Sequence, residues 1–237
     1  MFNKITHYDI ISIKDFLKAR SPFNIGPMGL VRIFQDGVLN TDQTKDGWLT
    51  NMTIATGREF SAQAVFKKNN VSSTLGNIQN YKVDSFGIGS GGSTIVGSNN
   101  VTLNGPSLCD SGLYAPIQIN TSCLASKNND NEVVDRTVKK IESSITGQTP
   151  GSITIENPTT WDFDECSSQY FTVVKNSCII TSGEPSFLNP GESVKMDEAM
   201  LFLTDDADNV LPFAHICFPP KYIELETEFT IEWYVIF

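Results

Sequence analysis

The stretch ELETEFTIEWYVIF, residues 224–237, alternates. Odd positions Leu225, Phe229, Ile231, Trp233, Val235 and Phe237 are apolar, with Thr227 as a small polar exception. Even positions Glu224, Glu226, Glu228, Thr230 and Glu232 are polar, until Tyr234 and Ile236 break the rule. Successive strand side chains point to opposite faces, so the pattern predicts a half-buried strand with one apolar face and one acidic, solvent-facing side. Over the last residues both faces turn apolar, as in a strand covered on both sides. Such a strand needs neighbours and a cover, and the remaining chain must supply them.

It is rich in further strands. Leu30–Phe34 precedes a turn through Gly37, YKVDSFGIG spans 81–89, and GSITIEN and YFTVVKNSCIITSG come later. VVDRTVKKIESSI, at 133–145, fits a strand or a helix, and turn residues on both sides with its β-branched content favour the strand. AMLFLTDDADNVLPFAHICFPP is two apolar runs around an acidic turn, which predicts a hairpin. Pro212 makes its second arm an edge strand or marks a bulge, and Pro219–Pro220 is expected to end that arm. Helical signals are confined to the front. Ser12–Asp15 has the form of a capping box, and its short helix should end near Arg20. Thr56–Glu59 is a second one and opens REFSAQAVFKK, whose apolar rows on more than one side predict a largely buried helix. The expected fold is mainly β: an antiparallel β-sandwich with a small amino-terminal helical addition. Residues 1–68 are expected to form an amino-terminal helical and strand segment packed on the sandwich, and 69–237 the sandwich with a long Gly/Ser/Asn-rich loop.

Charge narrows the partners. The net charge is −10, and residues 184–237 carry 2 Lys/Arg against 11 Asp/Glu. Nucleic-acid binding needs basic patches that neutralise phosphates, so no nucleic-acid partner is expected. No stretch reaches the roughly 18 apolar residues of a spanning helix, and no membrane partner is expected either. MFNKITHYDIISIKDF has no apolar run of signal-peptide length, which predicts synthesis in a cytoplasm. The cysteines, at 109, 123, 166, 178 and 217, form no CxxC pair, and His7 and His215 are the only histidines. A zinc site is not expected; buried reduced thiols are. The sequons at Asn51, Asn70, Asn100 and Asn120 lack a secretory context.

Four constellations could carry chemistry, and each has a plainer reading. Gly87–Ile–Gly89–Ser–Gly91–Gly92 satisfies GxGxxG, with Asp110 near the acidic offset of a dinucleotide site. That motif requires a helix after the glycines, whereas here STIVGSNNVTLNGPS comes next, so a turning loop is expected. Asp162, Asp164 and Glu165, and Asp205, Asp206 and Asp208, could hold a hard cation but lack an EF-hand frame, and read as solvated turns. Glu224, Glu226, Glu228 and Glu232 have strand spacing compatible with a glycosidase carboxylate pair, but read as a solvated row. His215 and Cys217 lie two apart on a strand and read as a buried packing pair. No catalytic, cofactor-binding or metal site is therefore expected, and no cofactor.

The run EAMLFLTDDADNVLPFAHICFPPKYIELETEFTIEWYVIF resembles the closing segment of tailed-bacteriophage virion structural proteins. The resemblance is carried by Leu201–Phe202, Phe213–Ala214, Phe218–Pro219 and Thr230–Trp233. YKVDSFGIGSGG, with CDSGLYAPI after it, is similar to the glycine-rich GxGG … D-x-x-L-x-x-P-I element of such proteins, and WLTNMTIATGREFSAQAVF is similar to their amino-terminal helix. The resemblance implies a non-enzymatic virion component at the neck, collar, tail or fibre attachment, with other virion proteins and copies of itself as partners. It would be made in the host cytoplasm and located in the virion. A capsid decoration protein is a close variant. The rival reading is a carbohydrate-binding or depolymerase sandwich, its groove formed by Trp48, Trp161 and the acidic clusters. On the assembly reading, Gly87–Gly105 is an assembly loop, ordered by neighbouring subunits.

Overall fold

The terminal alternation produces an interior strand. In the computed structural model, which describes residues 28–41, 47–66, 80–96, 100–119, 124–127, 133–141, 151–156, 173–184 and 188–236, β13 (Phe229–Ile236) lies between β1 (Met28–Gln35) and β10 (Val173–Ile180). Ile231, Trp233 and Val235 face the main core, while Glu232 and Tyr234 are buried on the opposite face. A turn separates Glu224, the last residue of β12 (Val210–Glu224), from β13. The expected single acidic row therefore does not exist. Glu224, Glu226 and Glu228 are exposed or half-exposed, but Glu232 is buried and paired with Lys175 of β10 at 2.6 Å. Tyr234 donates its hydroxyl to Glu232 at 2.7 Å, and the Arg32 guanidinium lies 3.7 Å from the centre of the Trp48 ring, itself edge-on to Tyr234.

The remaining strands are β2 (Val38–Leu39), β3 (Leu49–Thr53), β4 (Lys82–Gly89), β5 (Ser93–Val96), β6 (Asn100–Leu103), β7 (Leu124–Lys127), β8 (Val133–Lys140), β9 (Gly151–Glu156) and β11 (Ser193–Thr204). One antiparallel path runs β7-β8-β4-β11-β12-β3-β1-β13-β10-β9, with β2 added beside β1 and β5–β6 standing apart as a hairpin. The path curls into a sandwich. Ile33, Ile231 and Trp233 from one half share a core with Phe86, Leu201, Phe213 and Phe218 from the other. β3 makes the corner, pairing with β1 through Leu49–Asn51 and with β12 through Met52 and Thr53. The fold is thus mainly β and antiparallel, as expected. Residues 28–35 and 49–53 supply two interior strands, so this part of the 1–68 segment is built into the sheet and not laid on it. No helix among the described residues is long and apolar enough to cross a membrane.

Local differences from expectation have physical causes. The expected helix at 12–20 lies outside the described residues. The second helix, α1, is Ala55–Phe66, one residue ahead of the expected cap, because Ile54 O accepts the Arg58 N–H and Thr56 falls inside the first turn. It is half-buried at most along its described side chains, apart from Gly57. A Cβ at Gly57 would meet Phe213 O at 2.3 Å, so the glycine lets the helix lie directly on the β12 backbone. Pro212 marks a bulge: the β11–β12 register shifts between Leu201 and Phe202, opposite Ala214 and Pro212. Pro219–Pro220 does not end β12. The ladder skips from Glu198↔Cys217 to Met196↔Lys221, and the prolines, which lack N–H donors, sit in the skipped stretch.

Burying Glu232 yields a prediction. Glu232→Gln leaves the buried Lys175 ammonium beside a neutral amide, and removing one partner of a buried pair costs about 3–5 kcal/mol. Converting Glu224, Glu226 and Glu228 to Gln together should leave the denaturation midpoint nearly unchanged, since solvent-facing carboxylates contribute little. Equilibrium unfolding of the two variants should differ sharply; equal midpoints would contradict the buried pair.

Candidate functional site

The densest polar constellation lies where β11 meets the two glycine-containing loops. Asp197 and Glu198 are consecutive, yet both are fully buried. A regular strand would send them to opposite faces, but they sit at the register irregularity between Met196 and Glu198. Asp197 accepts the Gly92 N–H at 2.8 Å and the Ser93 hydroxyl, and pairs with Lys195 at 2.6 Å. Glu198 accepts three backbone N–H groups, from Gly91 at 3.0 Å, Tyr114 at 3.0 Å and Ala115 at 2.8 Å.

These contacts explain the glycines. A Cβ at Gly89 would lie 2.3 Å from Glu198 Oε1, and one at Gly92 would lie 2.0 Å from Asp197 O. Only glycine permits this approach. The N–H groups that would cradle a phosphate in a nucleotide site are occupied by the protein's own carboxylates. The glycines lead into the β5–β6 hairpin and not into a helix, so Gly87–Gly105 is a strand end, a pinned turn and a hairpin, not one unstructured loop. The expectation of a loop ordered only by neighbours is corrected for its first part: Gly87, Gly89 and Gly92 are buried within their own subunit.

His215 completes the cluster. Its Nδ1 lies 2.7 Å from Asp110 Oδ2 and its Nε2 lies 3.0 Å from Glu198 Oε2. An ionised carboxylate only accepts, so both contacts are hydrogen bonds when both ring nitrogens carry hydrogen. Asp110 also accepts the Ser107 N–H at 2.9 Å and the Tyr114 hydroxyl at 3.2 Å, and the Tyr114 ring stands edge-on to His215. Burial and the neighbouring Asp110 push the Tyr114 hydroxyl up to about 12, so it stays protonated and donates. Asp110, which the sequence places near a nucleotide motif, instead ties the 107–114 loop to a strand histidine.

Cys217 Sγ is 3.9 Å from His215 Nε2, which invites comparison with a thiol–imidazole dyad. The charges oppose it. Burial, and after it the charges of Glu198, Asp197 and Asp110, push the Cys217 thiol up to about 12, whereas a nucleophilic cysteine needs a lowered value. Of the expected buried packing pair, His215 is buried but Cys217 is only half-buried, and the histidine is held by two carboxylates that the sequence reading misses. A usable signal was present: two acidic residues opening the apolar run AMLFLT, with unaccompanied glycines far upstream.

Among the described residues, the acidic turn at 205–208 is closed on itself and on two lysines. Asp205 accepts from Ala207 N–H, Asn209 N–H and Asn209 Nδ2, making its own turn, while Asp206 pairs with Lys82 and Asp208 with Lys140. Asp162, Asp164, Glu165 and Trp161 lie outside the described residues. Trp48 is buried under Arg32 and against Tyr234, so it offers no face to a sugar ring. Among the described residues no group of three or more His, Cys, Asp or Glu is arranged to hold a metal ion. No protein-family model, no curated protein and no solved structure matches the chain.

The cluster sets an acid dependence. Burial pushes the Glu198 carboxyl up, but hydrogen bonds from His215, Ala115, Tyr114 and Gly91 outweigh it and hold it below its ordinary 4.5. Glu184 behaves alike, with burial opposed by Lys139 and the Thr181 N–H. A carboxyl held low in the folded state contributes stability above the ordinary value, and that contribution is lost as pH falls through the folded-state value. Urea midpoints should therefore drop once pH falls below 4.5. In Glu198→Gln the drop should be shallower. A midpoint unchanged by acid would contradict the ionised, hydrogen-bonded carboxylates.

Proposed function

We propose that the chain is a non-enzymatic structural component of a tailed-phage virion, assembling in repeated copies at the neck, collar, tail or fibre attachment. The observation that carries this reading is how the resembling segments meet. The GxGG turn, the D-x-x-L-x-x-P loop and the strand opening the carboxyl-terminal run are joined at Asp197, Glu198 and His215. The residues behind the resemblance are thus framework residues, with hydrogen bonds closed among themselves. The surface offered outward nearby is an uncharged apolar hairpin, the kind of feature an assembling protein presents. A decoration protein on the capsid would use the same framework. The carbohydrate reading loses Trp48 as a stacking platform.

Mass spectrometry of gradient-purified particles should find this chain in several copies per particle. Recovery of the chain only in the particle-free fraction would contradict the proposal. Release of reducing ends from a capsular polysaccharide by the purified chain would replace it with the carbohydrate reading.

A further inference from the structure

On the assembly reading, we infer that the β5–β6 hairpin is the contact between copies, and that its occupant is the same hairpin of a second copy, joined through the free edge of β6. The hairpin pairs Ser93↔Leu103, Thr94↔Thr102, Ile95↔Val101 and Val96↔Asn100. Among the described residues no further strand pairs with either edge. Directly opposite residues share a face, so Ile95, Val101 and Leu103 lie together on one side. They are 52%, 44% and 38% exposed, and all of β6 is exposed. The base is firm, held by Ser93 on Asp197 and by the Asn104 side chain on Gly91 O at 2.7 Å. Lys195 donates to Ser93 O at 3.1 Å on the β5 side and both strands touch β12, but the exposed β6 strand, Asn100–Leu103, carries no Lys, Pro or charge of its own to protect its edge.

Charge selects the occupant. From Ser93 to Cys109 the chain carries no charged side chain, while the whole chain is at −10. A basic partner would seek the acidic residues 184–237, whereas a like-charged copy can approach closely only where charge is missing.

The backbone sets the register. Asn104 N–H bonds to Gly92 O, so by strand alternation Thr102 points its N–H and C=O towards β5, and Val101 and Leu103 point theirs outward. A two-fold axis normal to the sheet preserves faces and requires a residue-centred register. With Thr102 on the axis, Val101 of each copy exchanges backbone hydrogen bonds with Leu103 of the other. The two apolar faces then become one, an isologous contact.

Sedimentation of the full chain tests this with two variants. Wild type should show a concentration-dependent dimer that persists or strengthens from low to high salt. Val101→Lys should weaken the dimer by about tenfold or more with an unchanged melting curve, because edge lysines block strand addition. Thr102→Cys in a Cys109→Ser background should link into a covalent dimer under mild oxidation, because residues facing each other at a non-hydrogen-bonded pair are the closest. The Cys109→Ser chain alone should not. A wild-type monomer at all concentrations overturns the inference. So does a dimer that survives Val101→Lys, that Thr102→Cys does not link, or that salt dissolves. Self-association through another surface would leave the assembly reading intact, since that reading stands or falls on the composition of purified particles.

Discussion

Deletion of Thr230–Phe237 should abolish cooperative folding. β13 bridges β1 to β10, and among the described residues β9 reaches the sheet only through β10, so the deletion breaks two ladders at once. It also removes Ile231, Trp233, Tyr234 and Val235, all buried. Burying each large apolar side chain contributes roughly 1.5–3 kcal/mol. Together with the ladders, that consumes the roughly 5–15 kcal/mol that separates most domains from unfolding. Circular dichroism during heating should show no cooperative transition, and the product should be insoluble. A truncated chain with a sharp melt would contradict the placement of β13 at the centre of the sheet.

Glu198→Ala should be the most damaging single substitution in the polar cluster. It leaves the N–H groups of Gly91, Tyr114 and Ala115 without their acceptor, and His215 without one of its two carboxylates. A buried donor left unpaired costs about 1–3 kcal/mol, and with relaxation the loss should be about 4 kcal/mol or more. Glu198→Gln keeps one accepting oxygen and should fall between wild type and Ala. Urea unfolding gives the ranking. An Ala variant within about 1 kcal/mol of wild type would mean that the cluster does not hold the loops.

What could be read in advance was local. Alternation revealed β13, β-branched runs revealed β8, β9 and β10, and the acidic turn revealed the β11–β12 hairpin, because each depends on neighbours within a few residues. What could not be read depends on register. Glu232 looked solvent-facing because its strand neighbours on the same side were polar, yet pairing with β10 sets Lys175 beside it. The glycines of 87–92 looked like a flexible loop because their partners, Asp197 and Glu198, lie more than a hundred residues downstream. Pro219–Pro220 looked like a stop because a proline normally costs a ladder bond, and here the bulge opposite Asp197 had already removed that bond. His215 was correctly placed in the interior, but its two carboxylates come from a separate loop and a separate strand.

Asp197 and Glu198 hold the glycine turn and the Tyr114 loop closed, which makes this constellation framework and not an open site. Native-state hydrogen exchange of four amides, Gly91, Gly92, Tyr114 and Ala115, tests that claim most directly. In the wild-type chain all four should exchange as slowly as the amides of the neighbouring sheet, and in Glu198→Ala the amides of Gly91, Tyr114 and Ala115 should become fast. If these amides exchange in wild type at the rate of exposed backbone, the carboxylates are not closing the loops, and the cluster is not the framework described.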